Sequence, residues 1–292
     1  MDKGRLAYFY LAATILLWSA TPAVAKLALG ELSNIQLLFF TSIVGVITLF
    51  LVNMAFGTLS NLFSYRPIDY LKMFAMGAVG IYLYYIFLYG AFAIAPAGQA
   101  NVINYLWPVF IVVFSIPILN EKYNSKTIIA ILLSFTGAAI AFTKGDFSAV
   151  SGQYAAGYLL AGLGAICYGL FSVLGKKLGY EKFSSMLVYY ACALALIAPT
   201  VTFTSAIKVP QSLTTIIAIL VLGGVMNSIA FVFWFKALSL GDTHKFANII
   251  YAVPFLAMIW TYTLNSEPVS IFSIAGLLLI VIGMAVQVRN KV

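Results

Sequence analysis

Hydrophobic positions along the chain gather into long uncharged runs, separated by short clusters of charged, Gly, Pro and Asn residues. Ten runs are present, at approximately 6–29, 33–56, 70–94, 98–119, 127–143, 154–175, 183–205, 212–235, 246–264 and 269–288. A helix that satisfies its own backbone hydrogen bonds needs about 20 predominantly apolar residues to cross the hydrocarbon layer, and most of the runs reach that length. The pattern predicts an all-α integral membrane protein of ten transmembrane helices, with no connecting segment long enough to fold as an aqueous domain.

The runs also repeat. Residues 16–40 laid over 166–190, an offset of 150, pair Trp18 with Tyr168, Lys26 with Lys176, Phe39 with Tyr189 and Phe40 with Tyr190. From the third run onward an offset of 146 pairs Ala91 with Ala237, Ile103 with Ile249, Tyr105 with Tyr251 and Pro108 with Pro254. The same offset continues through Glu121 and Glu267, Leu132 and Leu278, Leu133 and Leu279, Gly137 and Gly283, and Ala139 and Ala285. A loop between the second and third runs absorbs the change of offset, so both registers belong to one duplication. The expected halves are residues 1–146 and 147–292, integrated into one membrane domain. Five spans per half is an odd number, so the halves enter the membrane in opposite senses. Such inverted repeats build secondary transporters whose substrate site lies near the midplane, between the halves.

Composition agrees: 63% of the 292 residues are apolar and 8% are charged, against roughly 45–50% and about 25% in ordinary soluble domains. The net charge of +8 forms no dense patch, so no nucleic-acid partner is expected. It reports topology instead. With the N-terminus in the cytoplasm, Lys3, Arg5, Arg66, Lys72, Lys122, Lys126, Lys176, Lys177, Lys182, Lys236, Lys245, Arg289 and Lys291 flank the inner side, and only Lys26, Lys144 and Lys208 the outer. That asymmetry predicts a multi-pass protein of the inner (cytoplasmic) membrane with both termini in the cytoplasm. A cleaved signal peptide ending near Ala23-Val24-Ala25 is the competing reading of the N-terminus. The run there is long for a signal sequence, and the repeat requires it as a first helix.

The fourth run holds Asn101, Asn104, Tyr105, Trp107 and Pro108, with Asn101, Asn104, Tyr105 and Pro108 on one helical face. Amides and phenols are costly against lipid, so this face points inward, either lining a wet cavity or bonding neighbouring helices. In the ninth run Asn248, Tyr251 and Phe255 form the corresponding stripe, with His244 one turn earlier at a hydrated helix start. Thr14, Trp18, Thr21 and Pro22 share a side of the first run. The third offers Tyr82, Tyr85 and Tyr89, and the sixth Tyr168, Phe171 and Ser172. Such rings suit flat, apolar or cationic substrates, although ordinary packing uses the same residues.

All eight acids, Asp2, Glu31, Asp69, Glu121, Asp146, Glu181, Asp242 and Glu267, fall at span ends or loops. Antiport of cationic drugs through a buried acid is therefore disfavoured. Glu121 and Glu267 close the fourth and ninth runs and precede the fifth and tenth, where a carboxylate favours the positive end of a helix dipole. Lys26, Lys176 and Lys236 lie nearest the core among the cations; each either snorkels to the interface or attracts a substrate carboxylate or phosphate. Gly137 and Gly283 predict a close seam between the fifth and tenth spans. Cys167 and Cys192 are expected to be packing residues. No histidine pair, nucleophile elbow, phosphate-binding glycine loop or channel filter is present, so neither an enzyme nor an ion channel is expected, and no cofactor or metal is called for.

Leu16-Leu17-Trp18-Ser19, the run Asn104-Tyr105-Leu106-Trp107-Pro108 and the Glu121/Glu267 repeat together resemble the EamA-type branch of the drug/metabolite transporter superfamily. The resemblance spans essentially the whole chain, and the run at 104–108 is similar to that of bacterial aromatic amino-acid exporters. It implies ten helices in two inverted five-helix repeats. It also implies a central cavity lined by Trp18, the tyrosines of the third span, Tyr105, Trp107, Tyr168 and residues around Trp234. The expected activity is alternating-access export of a small metabolite. Aromatic or other apolar amino acids lead, and organic anions, nucleotide sugars or drugs are the alternative cargoes; a nontransporting receptor or enzyme ranks last.

Overall fold

The computed structural model describes residues 3–120, scattered positions between 125 and 140, 152–204, 207–240, 246, 249, 250 and 252–288. Among the described residues there is no strand. The chain runs through α1 (Lys3–Leu29), α2 (Asn34–Ala55), a short 3-10 segment (Thr58–Ser64), α3 (Pro67–Ile94) and α4 (Ala97–Leu119). It continues through α5 (Ala155–Leu178), α6 (Lys182–Thr204), α7 (Leu213–Leu240), α8 (Ala252–Asn265) and α9 (Ile271–Val288). Seven of these helices are long and apolar enough to cross a bilayer. The chain is therefore an all-helical, multi-pass membrane protein. The expected fifth span and the first turns of the ninth fall largely outside the described residues.

Local signals explain where the helices start and stop. Ser33 caps α2 by accepting from the Gln36 N–H (3.2 Å), while the Gln36 side chain accepts from the Ser33 N–H (3.0 Å). Pro67 opens α3, where its missing N–H costs nothing. The expected single fourth helix is in fact broken. Residues Ala97–Asn104 and Trp107–Leu119 are separate helical segments, joined by a turn at Tyr105 and Leu106. Pro108 causes the break, because it cannot donate to the Asn104 carbonyl and its ring crowds that turn. The consequence is that Asn101, Asn104, Tyr105 and Trp107 surround a kink.

Helix contacts come in matched pairs. α1 packs on α7 and α8, as α5 packs on α3 and α4; α2 packs on α7, as α6 packs on α3; and α2 meets α6. Two helices carry a π-helical segment, Ala78–Leu83 in α3 and Leu222–Ile229 in α7. Glycine permits the closest approaches. A Cβ at Gly77 would strike the Tyr189 carbonyl, and one at Gly223 the Thr41 carbonyl. Gly137 lies against Gly276, Leu279 and Ile280 of α9, which places the glycine-rich seam at one of its expected residues.

Loop carboxylates tie the ends. Glu31 accepts from the N–H groups of Gln211 and Ser212, and the Thr215 hydroxyl together with these amides holds its carboxyl below the ordinary range. Glu181 accepts from the N–H groups of Phe183 and Ser184 at 3.1 and 2.7 Å. Glu267, expected to favour the start of the tenth span, instead caps α4: it accepts from the Ala97 and Gly98 N–H groups, both at 3.1 Å. The preceding Ser266 is left-handed (φ 55) and turns the chain back toward α4.

Candidate functional site

The kink in α4 opens into a narrow cavity of about 30 Å³ among α1, α3, α4, α5 and α7, room for a water or two in this closed arrangement of the helices. Trp18 and Thr21 reach it from α1, and Tyr84, Tyr85, Leu88 and Phe92 from α3. Asn101, Asn104, Tyr105 and Trp107 come from α4, Tyr168 from α5 and Phe231 from α7. Among the described residues no charged side chain lines it.

Ring contacts make the wall continuous. Trp107 meets Tyr168 edge-on at 4.9 Å between centroids and Trp234 at 5.7 Å, and Trp18 meets Trp234 at 5.8 Å and Phe231 at 5.3 Å. Tyr168 also touches Tyr84 at 5.0 Å. Edge-to-face geometry of this kind holds each ring in one orientation. The Trp18 indole N–H donates to the Met226 carbonyl (3.0 Å) inside the π-helical segment of α7, where the widened turn frees a carbonyl.

Polar groups in the wall divide into two sets. The Asn104 amide donates to the Ala161 carbonyl (3.2 Å) and accepts from the Tyr84 hydroxyl (3.4 Å), so it joins α4 to α5 and α3. Three others, the Thr21 hydroxyl, the Asn101 Nδ2 and the Tyr168 hydroxyl, and with them the Trp234 indole N–H just behind the wall, have no hydrogen-bond partner of good geometry among the described residues. Their residues are at most 8% exposed. An unpaired buried polar group costs about 1–3 kcal/mol, and native proteins seldom tolerate four together without a ligand or water to complete them.

The structure brings together Trp18, Thr21, Tyr85, Asn101, Asn104, Tyr105, Trp107 and Tyr168, with Trp234 behind the indoles. Tyr82 does not join them, because its position on α3 turns its hydroxyl to Thr200 of α6 at 2.8 Å. Phe171 is also outside. It packs onto Gly80, where a Cβ would overlap its ring, and lies beside Tyr189 and Phe235. Asn248 and Tyr251 lie outside the described residues.

None of the three lysines lines the cavity. Lys26 neither snorkels nor faces a substrate; its ammonium donates to the Phe92 (2.7 Å) and Ala95 (3.2 Å) carbonyls at the end of α3. Lys236 lies over the Phe183 ring at 4.3 Å and the Tyr10 ring at 5.7 Å, and Lys176 is exposed at the end of α5. Sequence reasoning missed Phe231, Leu88 and Phe92, for a plain apolar residue carries no sign of facing a cavity. It also missed Asn227, whose amide donates to the Tyr89 hydroxyl (2.6 Å) and whose carbonyl accepts from Tyr190, joining α3, α6 and α7 behind Tyr85.

A bundle of apolar helices around an uncharged aromatic cavity is an arrangement suited to holding a small solute within a membrane. The sequence profile of the EamA-like transporter family matches residues 5–143 and again 155–289, and the chain belongs to that family. It is 25% identical to an uncharacterized transporter of Archaeoglobus fulgidus over 277 residues, covering 94% of each chain. It is 26% identical over 246 residues to the aromatic amino acid exporter YddG of Ancylobacter novellus, covering 83% of each. The pseudopaline exporter CntI of Pseudomonas aeruginosa is 24% identical over 278 residues, covering 94% of this chain and 93% of that one. A crystal structure 25% identical in sequence superposes with a TM-score of 0.75 over 99% of this chain and 97% of its own.

Proposed function

We propose that the protein exports a small metabolite, with aromatic or other apolar amino acids as the leading cargo, by alternating access through the central cavity. Its ten helices form two inverted repeats, 1–146 and 147–292, and both termini face the cytoplasm at the inner membrane. Three observations support the repeat: the separate family matches to the two parts of the chain, the paired helix contacts, and π-helical segments that overlap, with the same last residue, when 146 is added to the first.

The observation that carries the substrate reading is the coexistence of a ring-lined, uncharged cavity with three unpaired donors in its wall. An amino acid presents a carboxylate that accepts hydrogen bonds from Thr21, Asn101 and Tyr168. Its ammonium is attracted to ring faces, and its side chain buries against Phe231 and Trp18. An organic anion or nucleotide sugar carries net charge, which an uncharged wall would leave uncompensated.

The test is counterflow in proteoliposomes with labelled neutral, aromatic, acidic and basic amino acids alongside pseudopaline. Uptake of aromatic and apolar amino acids above that of charged ones is the expected result. Flux of charged solutes alone would replace the proposed cargo, and no flux of any solute would overturn transport.

A further inference from the structure

We propose that Glu267 is a latch that holds the path shut at the end of the bundle facing away from the termini, and that its release accompanies opening to that side. This rests on the alternating-access reading above. Glu267 follows α8 in the second half of the chain, while Ala97 and Gly98, whose N–H groups it accepts at 3.1 Å, begin α4 in the first half. The first-turn N–H groups of a helix have no partner within it, and a carboxylate completes them through charge-assisted bonds. The bridge is therefore strong enough to hold and short enough to break in one step.

Other ties between the halves gather at the same end. Tyr158 donates to the Gln99 side chain, and the Asn265 amide donates to the Ala23 carbonyl at 3.2 Å. Gly98 lies against Thr261, with room for a Cβ only 3.0 Å from its hydroxyl. The seam is closely packed: the gap between Gly98, Thr261, Glu267 and Ser273 is only about 10 Å³, and the Ser273 hydroxyl, 2% exposed, has no partner among the described residues.

The backbone identifies Glu267 as a special position. Among the described residues only Asn120 and Ser266 are left-handed without being glycine, both at φ 55. They stand 146 apart, the offset of the repeat, and each immediately precedes a glutamate. Left-handed backbone at a non-glycine residue persists where surrounding structure enforces it, often at switches.

The experiment places one cysteine at Leu88, which lines the cavity, after Cys167 and Cys192 are replaced by alanine. A membrane-impermeant thiol reagent is then applied from the side opposite the termini. Glu267→Ala should raise the labelling rate about tenfold by removing both bonds, and Glu267→Gln less, because its amide oxygen still accepts one. Gly98→Leu, whose side chain crowds both Thr261 and the Glu267 carboxylate, should raise it while the acid itself is kept. Unchanged labelling in both Glu267→Ala and Gly98→Leu would overturn the latch, as would an equal rise in Lys176→Ala, at the other end of the bundle. If Glu267→Ala fails to fold, Glu267→Gln and Gly98→Leu decide the matter. The readout needs no substrate, so absence of flux would remove the transport reading while leaving the latch to its own test.

Discussion

The two halves of the chain contribute unequally to the cavity. Ten of its twelve lining residues come from the first half, including Thr21, Asn101, Asn104, Tyr84 and Tyr85. The repeat offset read from the sequence puts Phe171, Ala247, Ile250, Ala230 and Phe231 at the corresponding positions of the second half, and among the described residues only Phe231 of these lines the cavity, beside Tyr168. The amides and the threonine hydroxyl of the wall come from α1 and α4, while α7 contributes the Phe231 ring. A wall of this kind orients an amphipathic solute, its polar end toward α1 and α4 and its apolar end toward α7. The same division separates polar groups already committed to helix contacts from those left open. Asn101 and Asn104 are one turn apart, yet only Asn101 has an amide nitrogen without a partner.

Trp107→Ala should have the largest effect on this arrangement. The indole touches Tyr105, Tyr168 and Trp234, and truncating a buried tryptophan costs about 3–5 kcal/mol. Export in proteoliposomes should fall by an order of magnitude or more, and the melting temperature should drop with it; normal flux would remove the aromatic wall from the mechanism.

Asn101→Leu sharpens the comparison, since it gives the polar side of the wall the character of the apolar side. Apparent affinity for amino acids should weaken about tenfold, the equivalent of one lost hydrogen bond of about 1.4 kcal/mol. Stability should hold or rise, because the amide nitrogen has no partner to lose among the described residues. A clear fall in melting temperature with unchanged affinity would show Asn101 to be structural.

The smallest effect belongs to Tyr82→Phe. It removes one hydrogen bond to Thr200 away from the cavity, a loss of about 0.6 kcal/mol by the average for interhelical bonds in membranes. Transport kinetics should match the parent chain, and a changed apparent affinity would mean that α3 turns a different face to the substrate.

Legibility in the sequence followed the physics of each feature. Trp18, Asn101, Tyr105 and Trp107 were visible because polar and aromatic groups inside an uncharged run must find somewhere other than lipid to point. Tyr82 and Phe171 carried the same signal and face elsewhere. A period of 3.6 defines a stripe, but which neighbour the stripe meets depends on how the helix is rotated. The Pro108 break was written in the residue itself, though its result, a kink that gathers four side chains, needs the helix axes to be seen.

What the sequence by itself determined is the membrane setting, the helical content and the absence of acids from span centres. These follow from transfer free energies and covalent geometry, which act locally. Only the tertiary structure decided that Asn104 is satisfied and Asn101 is not, that Lys26 closes α3, and that Glu267 reaches across to α4. Each of those outcomes depends on which donor and acceptor meet between segments far apart in the chain. Hydrogen bonding is directional over about 3 Å, and no pattern along one helix encodes a distance to another.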